Sequence, residues 1–256
     1  MEEGFIKFLG TGGARFVAST QIRATGGLWL HYKETDLFID PGPGAVVRVH
    51  ASKDRLQPAD LDGIILTHKH LDHSNDVNIM IEAMTGGGFK KKGVLFCPED
   101  AVSGDRVVLK YAAAFLEAVE VLKEKKSYVI KDVAFTCPVR HIHGVETYGL
   151  LFQLNTTTIG LISDTKYFDE LPDHYRADYL IVNVLRSQPI ERNLPLDHLS
   201  VEDFATIITR VRPKVAIMTH FGMTMIREKP HLLADQLKRE TGIEVIAAHD
   251  GMKLSF

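Results

Sequence analysis

A short segment at residues 67–73, THKHLDH, concentrates potential metal ligands. It contains His68, His70, Asp72 and His73. In an extended or turning backbone, His68 and His70 would point to one side and hold one cation. Asp72 and His73 would follow and hold a second one. Imidazole with carboxylate suits zinc or manganese and is a poor match for magnesium or calcium. A solvated polar loop is the alternative, but such a density of ligands directly after the apolar residues 63–66 is hard to explain that way.

Four residues cannot complete two metal sites, since each metal needs about four ligands including water. Further candidates follow predicted strands: His141 and His143 after residues 134–137, Asp164 after 158–162, and His220 after 214–218. Polar groups at strand ends that converge on one edge of a sheet can build a site. His141 and His143 are two residues apart and would face the same way, so spacing alone does not choose between them.

Predicted strands and helices alternate along most of the chain. Residues 5–9 and 64–66 are predicted strands, and residues 76–84 and 106–119 are predicted helices, the second because it is rich in alanine and long side chains. Another helix is predicted to open at Ser200, where Asp203 completes a capping-box pattern. Pro230 occupies a favourable first position for a further helix.

The composition describes a globular chain without strong electrostatic bias. It has 256 residues, 45% of them hydrophobic, and a formal net charge of −3. No Pro-, Gly- or Ser-rich linker divides it, so one domain over residues 1–256 is expected. There is no signal-peptide pattern and no apolar run of the roughly 20 residues that span a membrane. Cys97 and Cys137 are expected to be buried thiols in a reducing cytoplasm.

Two glycine-rich segments invite other interpretations. GTGGAR at residues 10–15 is not a dinucleotide-binding loop, because the third glycine of that motif would fall on Arg15 and no helix pattern follows at once. Arg15 could instead meet a substrate phosphate, although an exposed arginine is the default. The basic loop 86–93, GGGFKKKG, is expected to be flexible, and its glycines permit the motion that a lid needs.

At this point the residues resemble a known family. HKHLDH at 68–73 resembles the HxHxDH signature of the metallo-β-lactamase superfamily. Further segments follow in that family's order: FLGTG at 8–12, FIDPG at 38–42, HGVETYG at 143–149, Asp164, DHLS at 197–200 and THF at 219–221. The first of them resembles the branch that contains ribonuclease Z and the cyclic phosphodiesterase of phosphonate breakdown. In FIDPG, the resemblance makes Asp40 a brace for the metal-binding loop.

The resemblance implies a role for each candidate. His68, His70 and His143 would bind one metal, and Asp72, His73 and His220 the other. Asp164 would bridge both. Apart from the resemblance, His141 is expected to hold a ligand in place if His143 is the ligand of the pair. His198 would be a catalytic residue that binds no metal, with Asp72 and Asp164 also in the catalytic machinery. The expected cofactors are two zinc ions, with manganese as the alternative.

The implied fold is an α/β, four-layer αββα sandwich of two mixed sheets with helices outside. The implied enzyme is a metal-dependent hydrolase in which two metals activate water for attack on a small or cyclic phosphodiester or a nucleic-acid end. Only twenty residues separate His143 from Asp164, which leaves no room for the tRNA-gripping arm of ribonuclease Z. The alternatives are a lactonase or thioesterase, or a non-hydrolytic cofactor-maturation protein. The expected partners are a small-molecule or nucleotide phosphodiester, no membrane, and a second copy if the chain is a homodimer.

Overall fold

The computed structural model of the chain describes residues 4–189 and 196–256. Strands in these residues are β1 (Gly4–Phe8), β2 (Leu28–Tyr32), β3 (Thr35–Ile39), β4 (Gly63–Ile65), β5 (Val94–Cys97), β6 (Ala118–Val121), β7 (Ser127–Ile130), β8 (Val133–Thr136), β9 (Leu150–Leu154), β10 (Thr157–Ile162), β11 (Tyr179–Arg186), β12 (Leu199–Ser200), β13 (Val215–Thr219), β14 (Glu244–Ala247) and β15 (Lys253–Ser255). Helices are α1 (Ala14–Thr20), α2 (Ala45–His50), α3 (Leu71–Ser74), α4 (Val77–Met84), α5 (Lys110–Ala113), α6 (Val201–Val211), α7 (Met223–Arg227) and α8 (Pro230–Thr241).

The strands form two sheets of similar construction. The first has the order β15-β1-β2-β3-β4-β5-β6, and the second has the order β14-β13-β11-β10-β9-β8-β7, with β12 paired to β11. In the first, β15 to β3 pair antiparallel and β3 to β6 pair parallel. In the second, β7 to β10 are antiparallel, and β10, β11, β13 and β14 are parallel. Both sheets are therefore mixed.

Three buried clusters define four layers. Side chains such as Phe8, Phe135 and Phe152 fill the space between the sheets. A second cluster packs the outer face of the first sheet against α2, α4 and α5, and a third packs the outer face of the second sheet against α6 and α8. Each sheet thus buries both faces, one against the other sheet and one against helices. The expected αββα sandwich is confirmed.

Local sequence signals explain where two of the outer helices begin. Ser200 Oγ accepts a hydrogen bond from the Asp203 backbone N–H, and Asp203 Oδ2 accepts one of 2.8 Å from the Ser200 N–H, so the predicted capping box is present. Helix α8 starts at Pro230 and ends at Thr241, and the residue that caps it is Gly242, whose φ of 70° suits glycine. No helix in the described part of the chain is long and apolar enough to cross a membrane.

The prediction of a helix over residues 106–119 was wrong. Only Lys110–Ala113 is helical, and Ala118–Val121 forms β6, parallel to β5. The backbone leaves the helix because Glu117 N–H donates to Gly93 O and Lys92 N–H donates to Phe115 O, which draws the segment to the sheet edge. Sheet pairing overrides the helix propensity of an alanine-containing segment. A helix, α1, also follows the turn at residues 10–13, where the sequence indicated none.

Candidate metal centre

Loops at one edge of the two sheets bring the predicted ligands together. The run 68–73 follows β4 and enters α3, while the other ligands follow β8, β10 and β13. Two groups have ligand atoms within 4.8 Å of one another: His68, His70 and His143, and Asp72, His73, Asp164 and His220. These are the two sets that the family resemblance implies, with Asp164 placed in the second.

Asp164 lies between the two groups. Its Oδ2 is 3.6 Å from His68 Nε2 and 3.9 Å from His143 Nε2 on one side, and 3.4 Å from His73 Nε2 on the other. The carboxylate is buried, and its Oδ1 accepts a hydrogen bond of 2.8 Å from Asn183 Nδ2 on strand β11. One carboxylate can therefore face two cations, in a fixed orientation. Nothing in the sequence pointed to Asn183.

A buried hydrogen-bond network orients His68. The Thr67 hydroxyl donates to Asp40 Oδ2 at 2.7 Å, and the Thr67 N–H donates to Asp40 Oδ1 at 2.7 Å. Because the Thr67 hydroxyl proton is used in the bond to Asp40, Thr67 Oγ1 can only accept further hydrogen bonds. It accepts one from His68 Nδ1 at 3.1 Å and one from the Ser163 hydroxyl at 2.8 Å. His68 Nε2 then carries no proton, and it is buried without a hydrogen-bond partner among the described residues. Such an atom suits a metal ligand.

The other histidines are oriented in the same manner. His73 Nδ1 donates to Asp40 Oδ2 at 2.9 Å, and His143 Nδ1 donates to the Asp197 carbonyl at 2.9 Å, so in both rings Nε2 is left for a metal. Asp40 thus braces the segment that carries the candidate ligands, as the resemblance implied. These supporting groups fix the tautomer and direction of each ring.

His143, and not His141, lies in the cluster. His141 points the other way, and its Nε2 is 2.7 Å from the hydroxyl of Tyr175, a fully buried residue. Burial lowers the pKa of His141 to about 3, so the ring is neutral. Gly149 makes this pairing sterically feasible, since a Cβ there would lie 1.9 Å from the Tyr175 oxygen. His141 therefore packs behind the strand ends that carry His143 and Asp164.

The turn at residues 10–13 supports the second group of ligands. The Phe221 N–H donates to Thr11 O at 2.8 Å, and the Gly13 N–H donates to Phe221 O at 3.2 Å, so the turn brackets His220. His220 has a φ of 61°, an uncommon conformation for a residue with a side chain. The Ala14 N–H donates to Asp72 Oδ2 at 2.8 Å. The turn and the first residue of α1 thus hold two candidate ligands, His220 and Asp72, in place.

His198 lies at the open side of the cluster. Its Nδ1 is 3.6 Å from Asp164 Oδ2, and its ring stacks at 5.8 Å on His220. Together with His143 and Asp164 it forms a third group within ligating distance. Burial lowers the pKa of His198 to about 4, so the imidazole is neutral near pH 7.

The charges of the cluster fit bound cations. Burial favours the neutral form of every group, and it lowers the pKa of His68 well below its usual range. Burial by itself would raise the pKa of the Asp164 carboxyl. The surrounding His220, His198 and His73 nevertheless hold this pKa well below normal. Likewise Asp164, Asp72 and Asp40 overcome burial and raise the pKa of His73. Buried carboxylates that draw positive charge this strongly, beside the unprotonated Nε2 of His68, form a donor set suited to divalent metals.

A cavity of about 810 Å³ opens beside the cluster. It is lined by His70, Asp72, Asp164 and His198 of the cluster, and by Arg15 and Lys69.

The loop at residues 86–93, which the sequence predicted to be flexible, does not line this cavity within the described part of the chain. Gly86, Gly87 and Gly88 all have positive φ, and Phe89 is 94% exposed.

Comparisons with known proteins agree with this architecture. A family model described as a beta-lactamase superfamily domain matches residues 35–221. An uncharacterized protein of Methanocaldococcus jannaschii is 34% identical over 97% of this chain and 94% of its own length. The metallo-beta-lactamase fold protein YhfI from Bacillus subtilis superposes with a TM-score of 0.81 and 18% identity, covering 99% of both chains. A diphosphatase from the PhnP family superposes with a TM-score of 0.72 and 21% identity, covering 99% of this chain and 97% of that one.

Proposed function

This chain belongs to the metallo-β-lactamase superfamily, and within it we propose that the protein is a dinuclear metal-dependent phosphodiesterase. Its substrate would be a small or cyclic phosphodiester, or the end of a nucleic acid. The observation that carries the proposal is the position of Asp164 Oδ2, within 3.9 Å of histidine nitrogens from both ligand groups. A carboxylate placed in this way suits a pair of metals that share one ligand.

Each candidate ligand would have a distinct role. His68, His70 and His143 would hold one metal, Asp72, His73 and His220 the other, and Asp164 both. The bound pair would lower the pKa of a water and polarise the phosphoryl oxygen. Zinc is the first choice, with manganese as the alternative, because the donors are imidazole and carboxylate.

His198 would contact the scissile group. It lines the cavity and lies next to Asp164 without a hydrogen bond of its own among the described residues. A neutral imidazole can donate its N–H to a phosphoryl oxygen, or accept a proton and pass it to the leaving oxygen. Both roles need the side chain to face the substrate, and the position of His198 in the cavity wall supports this.

A phosphodiester of small size is favoured by three observations. The connection between His143 and Asp164 consists of the hairpin β9–β10 and its flanking loops, with no protruding arm. The diphosphatase of the PhnP family shares the fold over nearly its whole length. A cavity of about 810 Å³ lies within the roughly 300–1,000 Å³ common for small-molecule sites.

The test is a substrate panel with the zinc- and manganese-loaded protein. It contains bis(p-nitrophenyl) phosphate, a 2′,3′-cyclic nucleotide, a lactone, and a tRNA precursor with a 3′ trailer. We expect hydrolysis of the first two and no comparable rate on the last two. Turnover of the lactone alone would replace the proposal by a carbonyl hydrolase. Efficient removal of the trailer would refute the preference for small substrates.

A further inference from the structure

Two cationic side chains of the cavity wall lie outside the candidate metal cluster. Arg15 and Lys69 line the cavity beside His70 and His198. Lys69 Nζ is 3.7 Å from Asp100 Oδ2, which is a loose ion pair. Arg15 makes no hydrogen bond or ion pair with any residue in 4–189 or 196–256. A guanidinium that borders a cavity without a protein partner is available to a ligand.

The backbone holds Arg15 at the rim. The neighbouring Ala14 N–H donates to Asp72 Oδ2 at 2.8 Å, which ties the start of α1 to a candidate metal ligand. Arg15 therefore starts one residue from the metal centre, and its side chain can stay within reach of a substrate bound there.

The rest of the wall defines what kind of ligand fits. Outside the metal cluster, the charged groups described in this wall are Arg15, Lys69 and Asp105, a net positive charge. The same wall includes the apolar residues Pro43 and Leu71, and Leu71 is 64% exposed. Such a wall suits an organic group flanked by an anion. Arginine is well adapted to phosphate because its planar fork donates two parallel hydrogen bonds.

We propose that Arg15, assisted by Lys69, binds a second phosphate group of the substrate. The preferred substrate would then be a phosphodiester that carries at least one phosphate besides the one that is cleaved. This inference rests on the proposed phosphodiesterase function. Because the second phosphate does not react, its binding strengthens the ground state and the transition state equally, and the effect belongs in KM.

The experiment compares dinucleotides with the zinc-loaded protein. Thymidylyl-thymidine is the reference, and the probes are its 5′-phosphorylated, 3′-phosphorylated and diphosphate-linked counterparts. We expect at least one probe to have a kcat/KM about 10- to 100-fold above that of the reference, which is the range for a charge-assisted contact. Most of this gain should come from a lower KM. In Arg15→Gln this ratio should fall towards 1. Arg48→Gln, an exposed arginine that lines a different cavity, is the matched control and should keep it.

Binding gives a second measurement. The inhibition constants of thymidine 5′-phosphate and thymidine 3′,5′-bisphosphate are compared in wild type and Arg15→Gln at equal zinc content. The bisphosphate should bind more tightly only in the wild type. Equal ratios in both proteins, or no gain from any second phosphate, would overturn this inference. If none of the dinucleotides and no model diester is cleaved, the phosphodiesterase proposal itself fails.

Discussion

Gly13 lies against the imidazole ring of His220. A Cβ atom added to Gly13 would be 2.2 Å from His220 Nδ1, well inside any normal contact. Gly13→Ala should therefore push His220 out of the ligand cluster. We expect one metal per chain instead of two, and a loss of kcat/KM of about 100-fold or more, since small displacements in a catalytic site cost that much. Elemental analysis and kinetics check both.

Gly144→Ala is the control for that variant. Gly144 follows the candidate ligand His143, yet a Cβ there would have no neighbour within 4 Å. Metal content and activity should stay near those of the wild type. Equal losses in both variants would show that the region tolerates no added methyl group, and the specific contact with His220 would lose its support.

Asp164→Ala should be the most damaging single substitution of a ligand. The metal-replete wild type is expected to hold two metals per chain, and this variant removes a donor that faces both. Asn183→Ala, which removes only the hydrogen bond to Asp164 Oδ1, should cost about 10- to 100-fold in metal affinity or activity. Near-normal turnover of Asp164→Ala would refute its bridging role.

His198→Ala should keep both metals and near-normal stability while kcat falls by about 10²–10⁴, the usual range for a general acid or base. Less should be lost on a nitrophenyl diester than on a diester with an alkoxide leaving group, because nitrophenolate needs little proton donation. Equal losses on both would point to positioning of the phosphoryl group. Loss of metal would make His198 a ligand instead.

His141 should make stability depend on pH. Its folded pKa of about 3 lies below the unfolded value of about 6.5, so the neutral form is favoured by folding. The stabilisation that folding gains from the neutral His141 ring is fully present above pH 6.5 and is lost as the pH falls towards 3. The slope from this residue approaches 1.4 kcal/mol per pH unit below its unfolded pKa. Urea unfolding between pH 7 and 5 should show a shallower slope for His141→Gln than for the control His231→Gln, an exposed residue. Equal slopes would contradict the assignment.

The grouping of the candidate ligands was predictable because chemistry and position coincide in the sequence. A run of His and Asp directly after a buried strand can hardly serve packing, and each distant ligand follows a strand that the apolar pattern also marks. His143 was chosen over His141 through the family resemblance, and the cluster contains His143. The zinc preference and the role of His198 remain predictions.

The supporting groups were harder to predict because only the fold brings them together. Asn183 and Tyr175 lie on or near strands, where a polar residue has no distinctive spacing, and the Asp197 carbonyl is a backbone group present in any sequence. The prediction of a helix over residues 106–119 was wrong for a related reason. Its residues favour a helix locally, but strand β5 offers a free edge that is invisible in the sequence.

Strand β1 pairs on one side with β2 and on the other with β15, residues 253–255. During synthesis, the run at 68–73 leaves the ribosome long before the chain has made His220 or the strand that completes the first sheet. A partly synthesised chain therefore carries only some of the candidate ligands, because His143, Asp164 and His220 are added after the run at 68–73. The candidate centre can form only when segments from both sheets have been made and folded together.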